Sequence, residues 1–142
     1  MMISTKGRYA LRVMIDLSEH DQSKYIPLKG IAERQKISSK YLESIMTVLS
    51  KADFVDALHG KGGGYKLNRS PEQYSVASIL KLTEGTLAPV ACLGQGAKKC
   101  DQSANCKTLP MWIELDRIID NYLEGVTIGD LAKNNLNCDY VI

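Results

Sequence analysis

The sequence predicts a mainly α-helical protein with one small β-wing, and three stretches carry that prediction. Residues 28–53, "LKGIAERQKISSKYLESIMTVLSKAD", read as two short helices joined by a tight turn. Residues 54–69, "FVDALHGKGGGYKLNR", read as two strand-like runs around a glycine-rich tip. Residues 110–125, "PMWIELDRIIDNYLEG", carry a long apolar seam. A helix-turn-helix followed at once by a β-hairpin is a winged helix. The expected organisation is therefore a winged helix-turn-helix domain over 1–85 and a cysteine-bearing loop over 86–108. A dimerisation helix, a short final helix and a tail follow over 109–142.

Each element has a local reason. Ser4 can cap a first helix running to about Ser18, with Ala10, Leu11, Met14 and Leu17 near helical spacing. Lys6, Arg8 and Arg12 make its first turns basic. Pro27 disfavours helix at Ile26, so "YIP" reads as a short extended piece. In the next helix Ile31 and the small Ala32 face a partner, and the helix ends near Gln35 or Lys36. Ile37 plugs the turn, and Ser38 or Ser39 caps a third helix. There Leu42, Ile45, Met46 and Leu49 fall at i, i+3, i+4 and i+7, a full apolar stripe. The polar start of that helix, Ser38, Ser39, Lys40, Tyr41, Glu43 and Ser44, is suited to base edges or phosphates in a major groove. Lys29, Lys6 and Arg8 add positive charge for a phosphate backbone.

The expected strands are Phe54–Leu58 and Tyr65–Asn68, and the glycines between them permit positive φ and close backbone approach. His59 and Lys61 give the tip a donor and a charge for a phosphate or a minor groove. A nucleotide-binding loop is excluded, because G-x-x-x-x-G-K-[ST] is absent and a strand follows the glycines. After Pro71, Ser75 caps "VASILKLTE" and Gly85 stops it. Pro110 sits in the first turn of the long helix. There Trp112, Leu115, Ile119, Tyr122 and then Val126 recur at the 3-4 spacing of a dimer seam. Thr127, with Asp130 three residues on, caps a last short helix.

Bulk composition narrows the classes. The 142 residues are 44% hydrophobic and 24% charged, as in a soluble globular chain, with no apolar run long enough for a membrane span. The N-terminus lacks a secretory pattern, so a cytoplasmic protein with reduced thiols is expected. Residues 1–66 carry 11 Lys/Arg against 7 Asp/Glu, a net of +4, whereas residues 67–142 carry 7 against 9, a net of −2. A basic front half suits a polyanion, with double-stranded DNA the expected partner. No Ser/His/Asp set, paired carboxylates or nucleotide loop is present, so an enzyme is not expected.

Residues 91–108, "ACLGQGAKKCDQSANCKT", hold Cys92, Cys100 and Cys106 at C-x7-C-x5-C among polar residues. Thiols that must reach one inorganic centre need a pliable loop rather than a core. Gly94 and Gly96 supply flexibility, and Lys98 and Lys99 offset negative charge. The spacing is looser than that of structural zinc sites.

With these parts in this order, the chain resembles the Rrf-two family of bacterial winged-helix regulators, which includes IscR, NsrR and CymR types. The resemblance spans residues 1 to about 133. It rests on "STKGRYALRVMIDL", "LKGIAERQKISSKYLESIM", "GKGGGYKL", "LTEGTLAPVAC" and the three-cysteine loop before a long helix. It implies a homodimer on a palindromic operator. It also implies Cys92, Cys100 and Cys106 as ligands of an iron–sulfur cluster, of the 2Fe–2S type, which a purified sample need not retain. Two positions depart from the pattern. IscR types take a fourth ligand from a His three residues after the last loop Cys, where this chain has Leu109. NsrR types take an Asp from the partner's first helix, where this chain has Arg8. The fourth ligand is thus open, with Cys138, a carboxylate or solvent as candidates.

Three readings follow. One is a homodimeric DNA-binding regulator sensing iron–sulfur, redox or nitric oxide status through the loop. Another is a cluster-free regulator controlled by thiol state or by a partner enzyme, as in CymR types. The third is a small electron carrier without a DNA role, against which Lys61 on the wing and the basic front half both argue.

Overall fold

The computed structural model describes residues 2–98, 100–102, 104–134 and 136. Lys99 and Cys138, named above, lie outside them. The chain folds as α1 (Thr5–Ser18), α2 (Leu28–Gln35), α3 (Ser39–Lys51), β1 (Val55–Leu58), β2 (Gly64–Leu67), α4 (Val76–Glu84), α5 (Leu109–Glu124) and α6 (Ile128–Ala132). One-turn 3-10 helices sit at Pro71–Gln73 and Ala91–Leu93. The second was not foreseen in a loop read as irregular. Among the described residues no helix is long and apolar enough to cross a membrane.

Caps set the helix starts. The hydroxyl oxygens of Ser4, Ser38 and Ser75 accept from the backbone N–H of Gly7, Tyr41 and Ser78. At α6, Thr127 and Asp130 satisfy each other's backbone N–H reciprocally. The turn after α2 is made by Lys36 in the left-handed region (φ 55°, ψ 45°), where a side chain costs about 1–2 kcal/mol.

The core is built from the stripes the sequence shows. Leu42, Ile45, Met46 and Leu49 of α3 are fully buried against Ala10, Val13 and Met14 of α1, Ile31 of α2 and Ile79 of α4. Gly7 leaves room for the Glu84 carboxylate at the end of α4: a Cβ there would lie 2.3 Å from Glu84 Oε1. That carboxylate in turn accepts from the Ser4 backbone N–H at 3.1 Å.

The wing is an antiparallel pair with Val55 opposite Leu67 and Leu58 opposite Gly64. β1 starts one residue later than expected, because Phe54 donates its N–H to Leu49, and β2 is displaced by one residue, with Asn68 turning its side-chain amide to Asp53. Ile26 adds a bridge on the other edge of β2 by exchanging both backbone hydrogen bonds with Tyr65, at 2.8 and 2.9 Å. Gly64 makes this possible, since a Cβ there would meet the Ile26 carbonyl oxygen at 2.2 Å. Behind the wing, the buried Tyr74 hydroxyl donates to the Phe54 carbonyl at 2.8 Å.

The C-terminal segment returns to the first domain. Val76 donates to Val126 and Ile128 donates to Tyr74, which places the fully buried Ile128 in the same core as α1 and α3. Residue α5 Ile119 and its neighbour Leu123 pack on a second cluster of Val76, Leu80, Leu87 and Val126. The residues of the expected seam differ in their contacts within the chain. Ile119 and Val126 pack on this cluster, while Leu115 and Tyr122 remain 37% and 57% exposed. Met111, Leu115, Ile118 and Tyr122 form the exposed stripe, with Trp112 half-buried at its margin.

Asp16 is the one buried charged residue among those described. Arg34 meets it with two hydrogen bonds, at 3.0 and 2.8 Å, and the Gln35 amide adds a third at 2.8 Å. The pair ties α1 to the end of α2.

Candidate nucleic-acid interface

Two concave surfaces meet at the exposed start of α3. Ser38, Lys40, Tyr41 and Ser44 line one of about 330 Å³. The other, of about 290 Å³, lies between helix and wing and is lined by Glu43, Leu28, Leu58, His59 and Gly60. Glu43 and His59, which are 16 residues apart, thus share one groove. Ser39, Lys40, Glu43, His59 and Lys61 are exposed, while Tyr41 is half-buried.

Ser38 differs from the others. Its oxygen accepts the Tyr41 N–H in the cap of α3, which holds the hydroxyl against the helix start and leaves one lone pair and the proton for a ligand. Ser44 and Thr47 likewise donate back to the carbonyls of Tyr41 and Glu43. Among the described residues, Lys6, Arg8, Lys29, Lys40 and Lys61 form no ion pair, so each cation is available to a phosphate. Arg8 does donate to the Thr5 hydroxyl, at 3.2 Å.

Sequence reasoning missed two side chains here. Leu58 is 46% exposed at the wing's edge of the groove, and only its place beside the glycine tip could have marked it. Tyr9 meets the ring of Tyr41 edge-on, and its i+3 spacing to Arg12 was the available signal.

In the loop, Cys92 and Cys100 are exposed, Cys106 is half-exposed, and all three are free thiols. The Cys106 thiol is held below its ordinary value by the Thr108 hydroxyl, 3.4 Å away, and by the backbone N–H groups at the start of α5. Three unpaired thiols fit iron–sulfur chemistry in kind. They are not gathered: among the described residues no three His, Cys, Asp or Glu side chains converge as a metal site. Leu109 opens α5 and Arg8 lies on α1, so neither departure from the family's ligand pattern is repaired there. A cavity of about 360 Å³ separates Leu93 and Gln95 of the loop from Asp116 and Asp120 of α5.

Comparison with known proteins gives concordant results. The family model Rrf2 (the Rrf-two family), described as an iron-dependent transcriptional regulator, matches residues 3–134. The HTH-type transcriptional regulator IscR of Vibrio campbellii is 34% identical over 135 residues, covering 95% of this chain and 79% of that protein. The structure of CymR, the global cysteine regulator of B. subtilis, superposes with a TM-score of 0.78 at 29% identity, covering 94% of this chain and 98% of that one. The T. potens IscR structure gives a TM-score of 0.73 at 32% identity, covering 100% and 93%.

Proposed function

The chain belongs to the Rrf2 family of winged-helix transcriptional regulators, and from that premise we propose that it binds a palindromic duplex as a homodimer whose cysteine loop senses the state of the cell. The observation that carries the reading is the shared groove of Glu43 on α3 and His59 on the wing, flanked by unpaired cations. α3 would enter a major groove with Ser39, Lys40, Tyr41 and Glu43 toward base edges. Glu43 can accept from cytosine N4 and repels phosphate, so its contribution is discrimination rather than affinity. Lys6, Arg8, Lys29 and Lys61 would hold the backbone.

The test is selection of duplexes from a random pool by the purified protein, followed by titration across salt. Lys61→Ala should weaken selected and scrambled duplexes alike and reduce the slope of log affinity against log salt by about one. Absence of salt-dependent binding to any duplex would end the proposal.

For sensing, Cys92, Cys100 and Cys106 would hold an iron–sulfur cluster, which supplies a centre reactive toward oxygen and nitric oxide. The loop joins α4 to α5, and α5 is fastened at its far end by the docking of Val126 and Ile128. Drawing three thiolates to one point would shorten the loop and pull on the free end of α5, changing the relation of the two recognition helices. A second reading, thiol sensing without metal, is favoured by the separated thiols and the acidified Cys106. Anaerobic reconstitution distinguishes them. On the cluster reading, wild type should take up iron and sulfide with visible absorption, and the Cys92/Cys100/Cys106→Ser variant should take up neither. Loading should change affinity for the selected duplex by about 5–150-fold. A colourless, iron-free wild type would leave the thiol reading.

A further inference from the structure

Resting on the DNA-binding reading above, the geometry points to Tyr9 and Arg12 of α1 as positioning residues that fix Tyr41 for sequence discrimination. The rings of Tyr9 and Tyr41 meet at 5.9 Å between centroids and 74° between planes, the edge-to-face geometry aromatic pairs prefer. Tyr9 is itself held, because the Arg12 guanidinium lies 5.0 Å from its ring centroid. Arg12 is not a loose surface cation. Its Nε donates to Gln35 Oε1 at 3.1 Å and its second nitrogen donates to the Gln35 carbonyl oxygen. The Gln35 amide is anchored in turn on the buried Asp16. One chain of contacts thus runs from Asp16 through Gln35, Arg12 and Tyr9 to Tyr41.

The consequence concerns specificity. Tyr41 is the third residue of α3 and lines the concave surface formed with Ser38, Lys40 and Ser44. A tyrosine has two side-chain torsions, and one turn of unsupported helix would leave its ring free to change rotamer. Base readout depends on a fixed donor and acceptor geometry, whereas attraction to phosphates does not. Support from Tyr9 should therefore be felt on the selected sequence and not on DNA at large.

A purely structural Tyr9, or an Arg12 that grips phosphate, makes different predictions. The probes are a duplex selected by wild type from a random pool and a scrambled duplex of the same composition. Tyr9→Leu should weaken the selected duplex roughly two- to tenfold, leave the scrambled duplex and the salt slope unchanged, and melt within a few degrees of wild type. Tyr9→Phe, which keeps the ring, should behave as wild type. Arg12→Met should lower selectivity in the same way without changing the salt slope. In a Tyr41→Leu background, Tyr9→Leu should cost nothing further. Equal losses on both duplexes, or an additive loss in the Tyr41→Leu background, would overturn the positioning role. A wild type that enriches no duplex from the random pool would overturn the DNA-binding reading itself, and the positioning role with it.

Discussion

On the proposed two-fold assembly, Ile118→Asp is expected to convert the protein to monomers at micromolar concentration and to lower affinity for the selected duplex at least about a hundredfold. Ile118 is 50% exposed, in line with Met111, Leu115 and Tyr122 at helical spacing on α5. Four large apolar side chains left in water on one helix face are a surface a mate would cover. Covering each would contribute up to about 1.5–3 kcal/mol. A two-fold interface doubles the effect of any change, since both copies carry it. A carboxylate introduced at its centre would also have to lose water without a partner. Loss of DNA affinity follows because each recognition helix would then bind its half-site alone. Ile119→Asp is the informative contrast. Ile119 packs on Val76, Leu80, Leu87 and Val126 of its own chain, so that change should lower stability rather than separate folded protomers. Sedimentation of both variants beside wild type decides this. A wild type that is monomeric at micromolar concentration would refute the assembly.

The contrast shows where sequence stops being informative. Helix starts were legible because Ser4, Ser38, Ser75 and Thr127 announce themselves within three residues of chain, and all four caps form. The α3 stripe was legible because a single apolar face has one possible direction, inward. α5 carries two apolar faces, and choosing between them requires knowing that α6 docks into the first domain and turns Ile119 inward. That docking depends on backbone pairing between Tyr74–Val76 and Val126–Ile128, segments some 50 residues apart. The candidate groove was half legible. Its α3 and wing residues were named from pattern, yet their meeting at Glu43 and His59 is set by the Ile26–Tyr65 rungs that fold the wing back. Asp16 was invisible for a different reason. A carboxylate on a helix is ordinarily solvated, and nothing local says that Arg34 and Gln35 will enclose it.

Replacing Asp16 by Asn is expected to lower unfolding free energy by about 2 kcal/mol at pH 7 and by less near pH 3. The carboxylate is almost wholly buried, and removing its charge strands the Arg34 fork and the Gln35 amide that converge on it. Breaking a fully buried ion pair costs about 3–5 kcal/mol. The smaller figure applies here because the Arg34 side chain is 41% exposed and water can take over part of its hydrogen bonding. The pH dependence follows from two opposed effects. Burial pushes the Asp16 carboxyl upward, but the hydrogen bonds from Arg34 and Gln35, with the Arg34 charge, hold it below the ordinary carboxylate value. A carboxyl depressed in the folded state stabilises the fold above its unfolded value, about 3.9, and loses that contribution as pH falls through the folded value. Urea unfolding of wild type and Asp16→Asn at pH 7 and pH 3, at one protein concentration, measures both points. A gap that stays the same at the two pH values would mean that the charge on Asp16 is not what secures α1 to the end of α2.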